Sequence, residues 1–240
     1  MTRTRTVLAV LVVLVLAGFG SARRVQAPNK GEKQPTDPKA VLKELEAGNA
    51  RFVASGRTRS ADTRQDAAAR KQLVKGQHPI AAVLCCADSR AAPEFVFDQG
   101  IGRLFVIRNA GNLVGADVLA TLDYGVEHLH IPLVVVMGHT GCGAIAAVNA
   151  AGDKALPGNF KSFQDKMADL RPLLKKPAET TPEFLDKLAG ANARYQAARL
   201  LRQSEVIRDA VKKKHAAVVV GLYDLGTGVV TFLDRGGLDR

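Results

Sequence analysis

Three short apolar runs in the middle of the chain are the clearest pattern in the sequence. Residues 80–86, 104–107 and 133–137 are continuous, rich in valine and isoleucine, and bounded by glycine, proline or polar residues. Such runs are typical of strands that are buried on both faces of a parallel sheet. Residues 117–129 and 142–151 fit helices that follow the second and third runs. Strands alternating with helices predict an α/β domain with a mostly parallel central sheet and flanking helices.

Further helices and a terminal hairpin complete the predicted domain. Apolar positions recur at helical spacing over residues 40–53, and an alanine- and arginine-rich segment predicts a second helix over residues 62–73. A long helical stretch, interrupted by prolines, occupies residues 160–214. Apolar runs at 217–223 and 229–233 flank a glycine-rich turn, and this arrangement predicts a C-terminal antiparallel hairpin.

The first 27 residues have the three parts of an export signal. Two arginines precede an apolar run at residues 7–20, and small residues follow it, so that cleavage is expected after Ala22 or Ala27. Fourteen apolar residues are short for a bilayer span, which needs about 20. We therefore expect an exported protein, periplasmic or secreted, with no membrane span after cleavage; retention as an uncleaved anchor is the alternative.

Composition places one globular domain after this signal. Residues 28–38 are polar and proline-rich and predict a linker, and residues 39–240 form a single α/β domain in this interpretation. The net charge of +11 falls to +7 without the four arginines of residues 1–27. The remaining excess is scattered, and the chain has no tryptophan and three tyrosines with which to stack on bases. A nucleic-acid partner is therefore not expected.

The chain contains three cysteines, Cys85, Cys86 and Cys142. An odd number, with two of them adjacent, makes a poor disulfide framework for an oxidising compartment. Cys85 points to the opposite face of its strand from Cys86 and is expected to be a small core residue. Thiols that persist outside the cytoplasm favour metal ligation.

Two polar segments, residues 86–90 and 138–143, each follow a predicted buried strand. In open α/β sheets, ligands bind beyond the carboxyl ends of the strands, so adjacent strands would bring Cys86 and His139 together. Cys142 follows three residues after His139, at the first turn of the next predicted helix. Two cysteines and one histidine form a three-ligand zinc set with an open fourth position, which is typical of catalytic sites.

Asp88 and Arg90 follow Cys86 at intervals of two residues. In an extended chain the three side chains point the same way. An adjacent arginine keeps a carboxylate ionised and orients it, so Asp88 is predicted to accept a hydrogen bond from water held at the metal. Taken alone, the two residues would more often form a surface ion pair.

The chain closely resembles the β-class carbonic anhydrases. The motifs that carry the resemblance are Cys-x-Asp-x-Arg at residues 86–90 and His-x-x-Cys at residues 139–142. Further similar segments are LEAGNARF at 45–52, GQHP at 76–79, FDQG at 97–100, RNAGN at 108–112 and GLYDLGTG at 221–228. The resemblance covers roughly residues 38–235 and implies a β-carbonic anhydrase-like fold.

The resemblance also implies roles for individual residues. It implies one zinc ion per chain, and catalytic roles for Asp88 and Arg90, with Asp88 as a possible fourth ligand in a closed state. The implied metal ligands are Cys86, His139 and Cys142, and the residues implied to line the substrate cleft are Gln77, Phe105 and Tyr124. Family members are typically homodimers or higher even homo-oligomers with the cleft at the subunit interface.

The activity implied is zinc-dependent, reversible hydration of CO2 to bicarbonate and a proton, in which hydroxide generated at the zinc attacks CO2. Hydrolysis of CS2 or COS by the same fold is one alternative. Another is an exported zinc-binding protein without enzymatic activity. The Asp88–Arg90 pair argues against the second alternative, because metal binding alone does not need it.

Overall fold

A five-stranded sheet forms the centre of the domain. The structure, a computed structural model, describes residues 35–55, 67–170 and 179–239, so the predicted export signal lies outside the described residues. The strands are β1 (Ala81–Cys86), β2 (Leu104–Asn109), β3 (Leu133–His139), β4 (Ala217–Tyr223) and β5 (Val230–Asp234). Their order is β2-β1-β3-β4-β5, with β5 antiparallel to β4 and the other pairs parallel. The predicted mostly parallel sheet and C-terminal hairpin are confirmed.

Helices cover both faces of this sheet. They are α1 (Pro38–Ser55), α2 (Ala67–Leu73), α3 (Pro93–Val96), α4 (Ala116–His128), α5 (Gly143–Ala151), α6 (Lys161–Lys166), α7 (Pro182–Gln203) and α8 (Glu205–Lys212). Residues 62–66 of the predicted second helix and residues 171–178 of the long helical stretch lie outside the described residues. Among the helices that the structure describes, none combines the length and the apolar character that crossing a membrane requires.

Capping residues divide the long helical stretch of the C-terminal half. Helix α7 begins at Pro182, whose fixed φ suits the first helical position, and the Thr181 side chain accepts a hydrogen bond from Phe184 N at 3.2 Å. The helical stretch is also interrupted at Ser204, where no proline predicts an interruption. This residue has extended backbone angles, and its hydroxyl accepts a hydrogen bond from Ile207 N at 2.9 Å, so that a new helix begins.

Alternate residues of the strands enter two separate cores. Val83 and Cys85 of β1 pack on the face covered by α1 and α3, whereas Ala82 and Leu84 pack on the face covered by α4, α7 and α8. All six residues of β1 are buried, which explains why the strand reads as a continuous apolar run. A third apolar cluster lies at the carboxyl ends of the strands and includes Cys86 and Cys142.

The strand order reverses between β1 and β3. The chain passes from β1 outward to β2, and then returns to place β3 on the other side of β1. Connections on the two sides of such a point diverge and leave a crevice beyond the carboxyl ends of the two strands. Cys86 is the last residue of β1 and His139 the last residue of β3, so both lie at this crevice.

Candidate metal centre

Three predicted metal ligands converge at the crevice. The sulfurs of Cys86 and Cys142 and a ring nitrogen of His139 all lie within 4.8 Å of one another, and all three residues are buried. Cys86 and His139 end adjacent parallel strands, and Cys142 is the N-cap residue of α5. The fold therefore brings Cys86 together with the His139–Cys142 pair, which is far from it in the chain.

The imidazole of His139 is oriented for metal binding. Its Nδ1 atom lies 2.8 Å from the carbonyl oxygen of Thr140, so Nδ1 donates a proton there and Nε2 keeps its lone pair. Within the described residues, Nε2 is buried and has no hydrogen-bond partner. Buried polar atoms are rarely left without a hydrogen-bond partner. A metal-binding imidazole usually donates the N–H group of its other nitrogen to a carboxylate, a carbonyl or water, as His139 does to Thr140 O. Both features fit a metal ligand.

The hydrogen bonds of the Cys86 and Cys142 sulfurs also favour the binding of a cation. A hydrogen bond with Cys142 lowers the pKa of Cys86 to about 4, and the same bond together with burial raises the pKa of Cys142. Gly111 N donates a further hydrogen bond to Cys86 Sγ at 3.3 Å. The hydrogen bond between the sulfurs therefore favours the thiolate form of Cys86, and a metal ion held by both sulfurs would displace the remaining proton. Two thiolates with one imidazole suit zinc.

Asp88 faces the ligands and is fixed by Arg90. Arg90 Nε donates to Asp88 Oδ1 at 2.9 Å and Arg90 Nη2 donates to Oδ2 at 2.7 Å, a bidentate pair. These bonds hold the pKa of the Asp88 carboxyl well below its usual range. Oδ2 lies 3.9 Å from His139 Nε2, so the carboxylate is beside the metal donors.

The route by which Arg90 reaches Asp88 differs from the sequence prediction. The chain does not stay extended after Cys86, because Ala91 N donates to Asp88 O at 3.0 Å and closes a turn. The backbone N–H of Arg90 also donates to Asp88 Oδ1 at 3.0 Å. The prediction that strand alternation aligns the two side chains was therefore wrong, and a tight turn pairs them instead.

Arg108 is a contributor that the sequence reasoning did not single out. It lies on β2, and its guanidinium donates to the carbonyl oxygens of Cys86 at 3.1 Å and Asp88 at 2.6 Å. These bonds fix the backbone that carries the first ligand and the acid. Arg108 lies in the RNAGN segment. Apart from that resemblance, nothing in the sequence pattern indicates that a basic residue near a strand end fixes the backbone of a neighbouring strand.

Helix α7 supports the site without supplying a ligand. The buried Asn192 donates to Gly111 O at 2.8 Å, and the buried Gln196 accepts from Val114 N at 2.9 Å. The two amides are joined, since Gln196 Nε2 donates to Asn192 Oδ1 at 3.0 Å. Together they hold the loop whose Gly111 N–H reaches Cys86. No spacing rule marks such residues in a sequence, since Asn and Gln occur at least as often on exposed helix faces.

Cys85 takes no part in the site. It is fully buried on the opposite face of β1, as the alternation of the strand predicts. Burial raises the pKa of its thiol to about 12. It packs as a small apolar residue.

The predicted cleft residues are not brought to the metal donors within one chain. Phe105 pairs with Ala82, four residues before Cys86, which corresponds to about 13 Å along the strand. The rings of Tyr124 and Phe105 lie 6.4 Å apart, so Tyr124 is at the same level of the sheet. Gln77 precedes β1 and is exposed near its amino end. All three residues thus lie toward the opposite end of the strands from the metal donors.

Comparison with known proteins gives a consistent result. The family model described as carbonic anhydrase matches residues 81–230. A curated relative, carbonic anhydrase 2 of Mycobacterium tuberculosis, is 35% identical over 203 residues, covering 84% of this chain and 96% of the relative. Carbonic anhydrase of Mycolicibacterium smegmatis is 34% identical over 196 residues, covering 81% and 93% of the two chains.

Solved structures show the same fold. The β-carbonic anhydrase CafA of Aspergillus fumigatus matches with a TM-score of 0.61 and 26% identity, covering 82% of this chain and 90% of that one. The family model spans more than half of this chain, and the first relative covers most of it. The chain therefore belongs to the β-class carbonic anhydrases.

Proposed function

We propose that this protein is an exported zinc enzyme that interconverts CO2 with bicarbonate and a proton. The observation that carries the proposal is the buried Cys86–His139–Cys142 donor set with the ionised Asp88 beside it, in a chain of this family. Zinc bound there would supply hydroxide, because the cation lowers the pKa of a water molecule toward neutrality. The composition of residues 1–27 supports export to a periplasmic or extracellular location.

Asp88 and Arg90 orient the attacking oxygen in this proposal. The two bonds from Arg90 fix both carboxylate oxygens, and Oδ2 remains close to His139 Nε2. An ionised carboxylate in this position accepts a hydrogen bond from a water or hydroxide and leaves the oxygen lone pair directed at CO2. For Asp88 to become a fourth metal ligand, it would have to give up its charge-assisted bonds to Arg90.

A second subunit completes the substrate cleft in this proposal. Gln77, Phe105 and Tyr124 lie at the wrong end of the sheet to line a cleft above their own metal donors. Strand β2 is an edge strand, and large apolar side chains are exposed near it: Phe95 is 53% exposed, Ile101 43% and Tyr124 49%. Such an edge is suited to pairing with another chain.

A homodimer built across β2 would place the cleft residues of one copy opposite the metal donors of the other. A solved neighbour with the same fold, from a study of two tetrameric β-carbonic anhydrases of Sordaria macrospora, matches with a TM-score of 0.60 and 22% identity, covering 81% of this chain and 97% of that one. We therefore propose a homodimer or a higher even oligomer as the active form.

Stopped-flow CO2 hydration tests the proposal. The zinc-loaded protein without residues 1–27, kept reduced at pH of about 8.5, is expected to hydrate CO2 rapidly and to lose this activity to a chelator. The rate is expected to rise from about pH 6.5 to 9, as the supply of hydroxide increases. Failure to hydrate CO2 with one zinc per chain would contradict the proposal, and turnover of CS2 or COS by the same sample would assign the site to that chemistry.

Replacement of the acid separates an enzyme from a zinc-binding protein. Asp88→Asn keeps the size of the side chain but weakens its ability to orient a hydroxide, so we expect full zinc content and a rate lowered by about 100-fold or more. Asp165→Asn is the matched control, because Asp165 is exposed and bonds to Lys161 on the surface. An Asp88→Asn protein with wild-type activity would contradict a catalytic role for the pair.

A further inference from the structure

The turn between the second and third metal donors is two residues long. It consists of Thr140 and Gly141, and its first residue is held by the hairpin after β4. Thr140 N donates to Tyr223 O at 2.9 Å, and Thr140 Oγ1 accepts from Leu225 N at 3.0 Å. These bonds fix the side of the turn next to His139.

The other side of the turn is held by a carboxylate from a distant helix. Gly141 N donates to Asp186 Oδ1 at 2.8 Å, across 45 residues of sequence. Gly141 has a φ of +62°, a conformation that glycine adopts without strain, and this conformation directs the N–H toward α7.

Helix α7, which carries Asp186, is tightly packed against the sheet. It packs so closely on β3 that a Cβ atom added to Gly138 would lie 3.0 Å from the carbonyl oxygen of Ala189. Further along the helix, Asn192 is bonded to Gly111 O at 2.8 Å in a buried position. Asp186 therefore projects from an element whose position is fixed relative to β3, which carries His139, and to the loop that contacts Cys86.

We propose that Asp186 is a positioning residue of the metal centre. By holding the Gly141 peptide, it sets the orientation of the Cys142 sulfur relative to the His139 imidazole and so determines how long the metal is retained. The proposal rests on the zinc site proposed above. Hydrogen-bond partners that orient metal ligands commonly affect metal affinity by about 10- to 100-fold.

Two substitutions at Asp186 distinguish the effect of its hydrogen bond to Gly141 from the effect of its carboxylate charge. Asp186→Ala removes the acceptor, whereas Asp186→Asn keeps an acceptor oxygen without the charge. Glu183→Ala is the matched control, because it removes one acidic residue from the first turn of the same helix. The measurements are the rate of zinc release into excess chelator and the thiolate-to-metal charge-transfer absorption of the Co²⁺-loaded proteins.

We expect zinc release about 10- to 100-fold faster for Asp186→Ala, with an altered charge-transfer band. Asp186→Asn and Glu183→Ala should release zinc close to the wild-type rate. Equal rates for Asp186→Ala and Glu183→Ala would overturn the proposal, and so would Asp186→Asn being as fast as Asp186→Ala. A wild-type protein that binds no zinc would instead contradict the proposed function, and this inference with it.

Discussion

Cys85 and Cys86 are adjacent in the chain and have opposite environments in the fold. Cys85 lies in the apolar core under α1 and α3, and Cys86 lies in the cluster at the carboxyl end of the sheet with Cys142. The two-residue period of a strand alone produces this difference. Because both residues are cysteines, any difference between their roles arises from their positions in the fold and not from their chemistry.

Replacing each cysteine by alanine should therefore have different effects. Cys86→Ala removes a metal donor, so we expect loss of tightly bound zinc. Cys85→Ala should keep one zinc per chain and lose about 1 kcal/mol of stability, because a buried sulfur is removed from a packed core. Zinc content by atomic emission and urea denaturation measure the two effects. Retention of zinc by Cys86→Ala would exclude it as a ligand.

Helix α7 supplies no metal donor, but it holds two of the loops that form the candidate metal centre. Its buried amides hold the loop after β2, and its Asp186 holds the turn after β3. The two loops follow the strands on either side of β1, the strand that carries Cys86. The helix therefore couples two loops that would otherwise be positioned independently of each other.

Asn192→Ala tests this role of the helix. The substitution leaves the buried Gly111 carbonyl without its donor, so we expect the free energy of unfolding to fall by about 2–3 kcal/mol. The loss should be greater for the zinc-bound protein than for the zinc-free protein, because the Gly111 N–H group also orients the Cys86 sulfur that would hold the metal. Urea denaturation of both forms measures the difference, with the exposed Asn159→Ala as control. An equal loss in both forms would show that Asn192 acts on the fold alone.

The strands and the convergence of Cys86, His139 and Cys142 could be predicted from the sequence, and the supporting contacts could not. A strand buried on both faces leaves a continuous apolar run, and donors placed directly after two such runs predict a shared site, as with Cys86 and His139. The turn that pairs Asp88 with Arg90 depends on one backbone bond, Ala91 N to Asp88 O, which has no marker in the pattern. Asn192 has no marker either, because its burial is decided by tertiary packing.

At the scale of the whole molecule, the sheet separates residues that the proposed active site requires together. Gln77 lies nine residues before Cys86, at the opposite end of the buried six-residue strand β1, which ends at Cys86. A strand of that length spans about 20 Å, so one chain does not place both residues around one small substrate. The spacing of the two residues along the chain thus already favours a site shared between subunits.

Mixed oligomers provide the decisive test of a shared site. Cys86→Ala removes one of the three proposed metal donors, and Gln77→Ala removes a proposed cleft residue, so each variant alone should be inactive or nearly so. When the two chains are co-expressed, a symmetric dimer in which sites are shared contains one intact site in every mixed pair. The selected mixed dimers should therefore have about one half of the wild-type rate, because one of the two sites in each is intact. Stopped-flow CO2 hydration of the purified mixed oligomer, selected with two different affinity tags, measures this recovery. If both residues served the same site within one chain, the mixed dimer would hold no restored site and would remain as slow as the two variants.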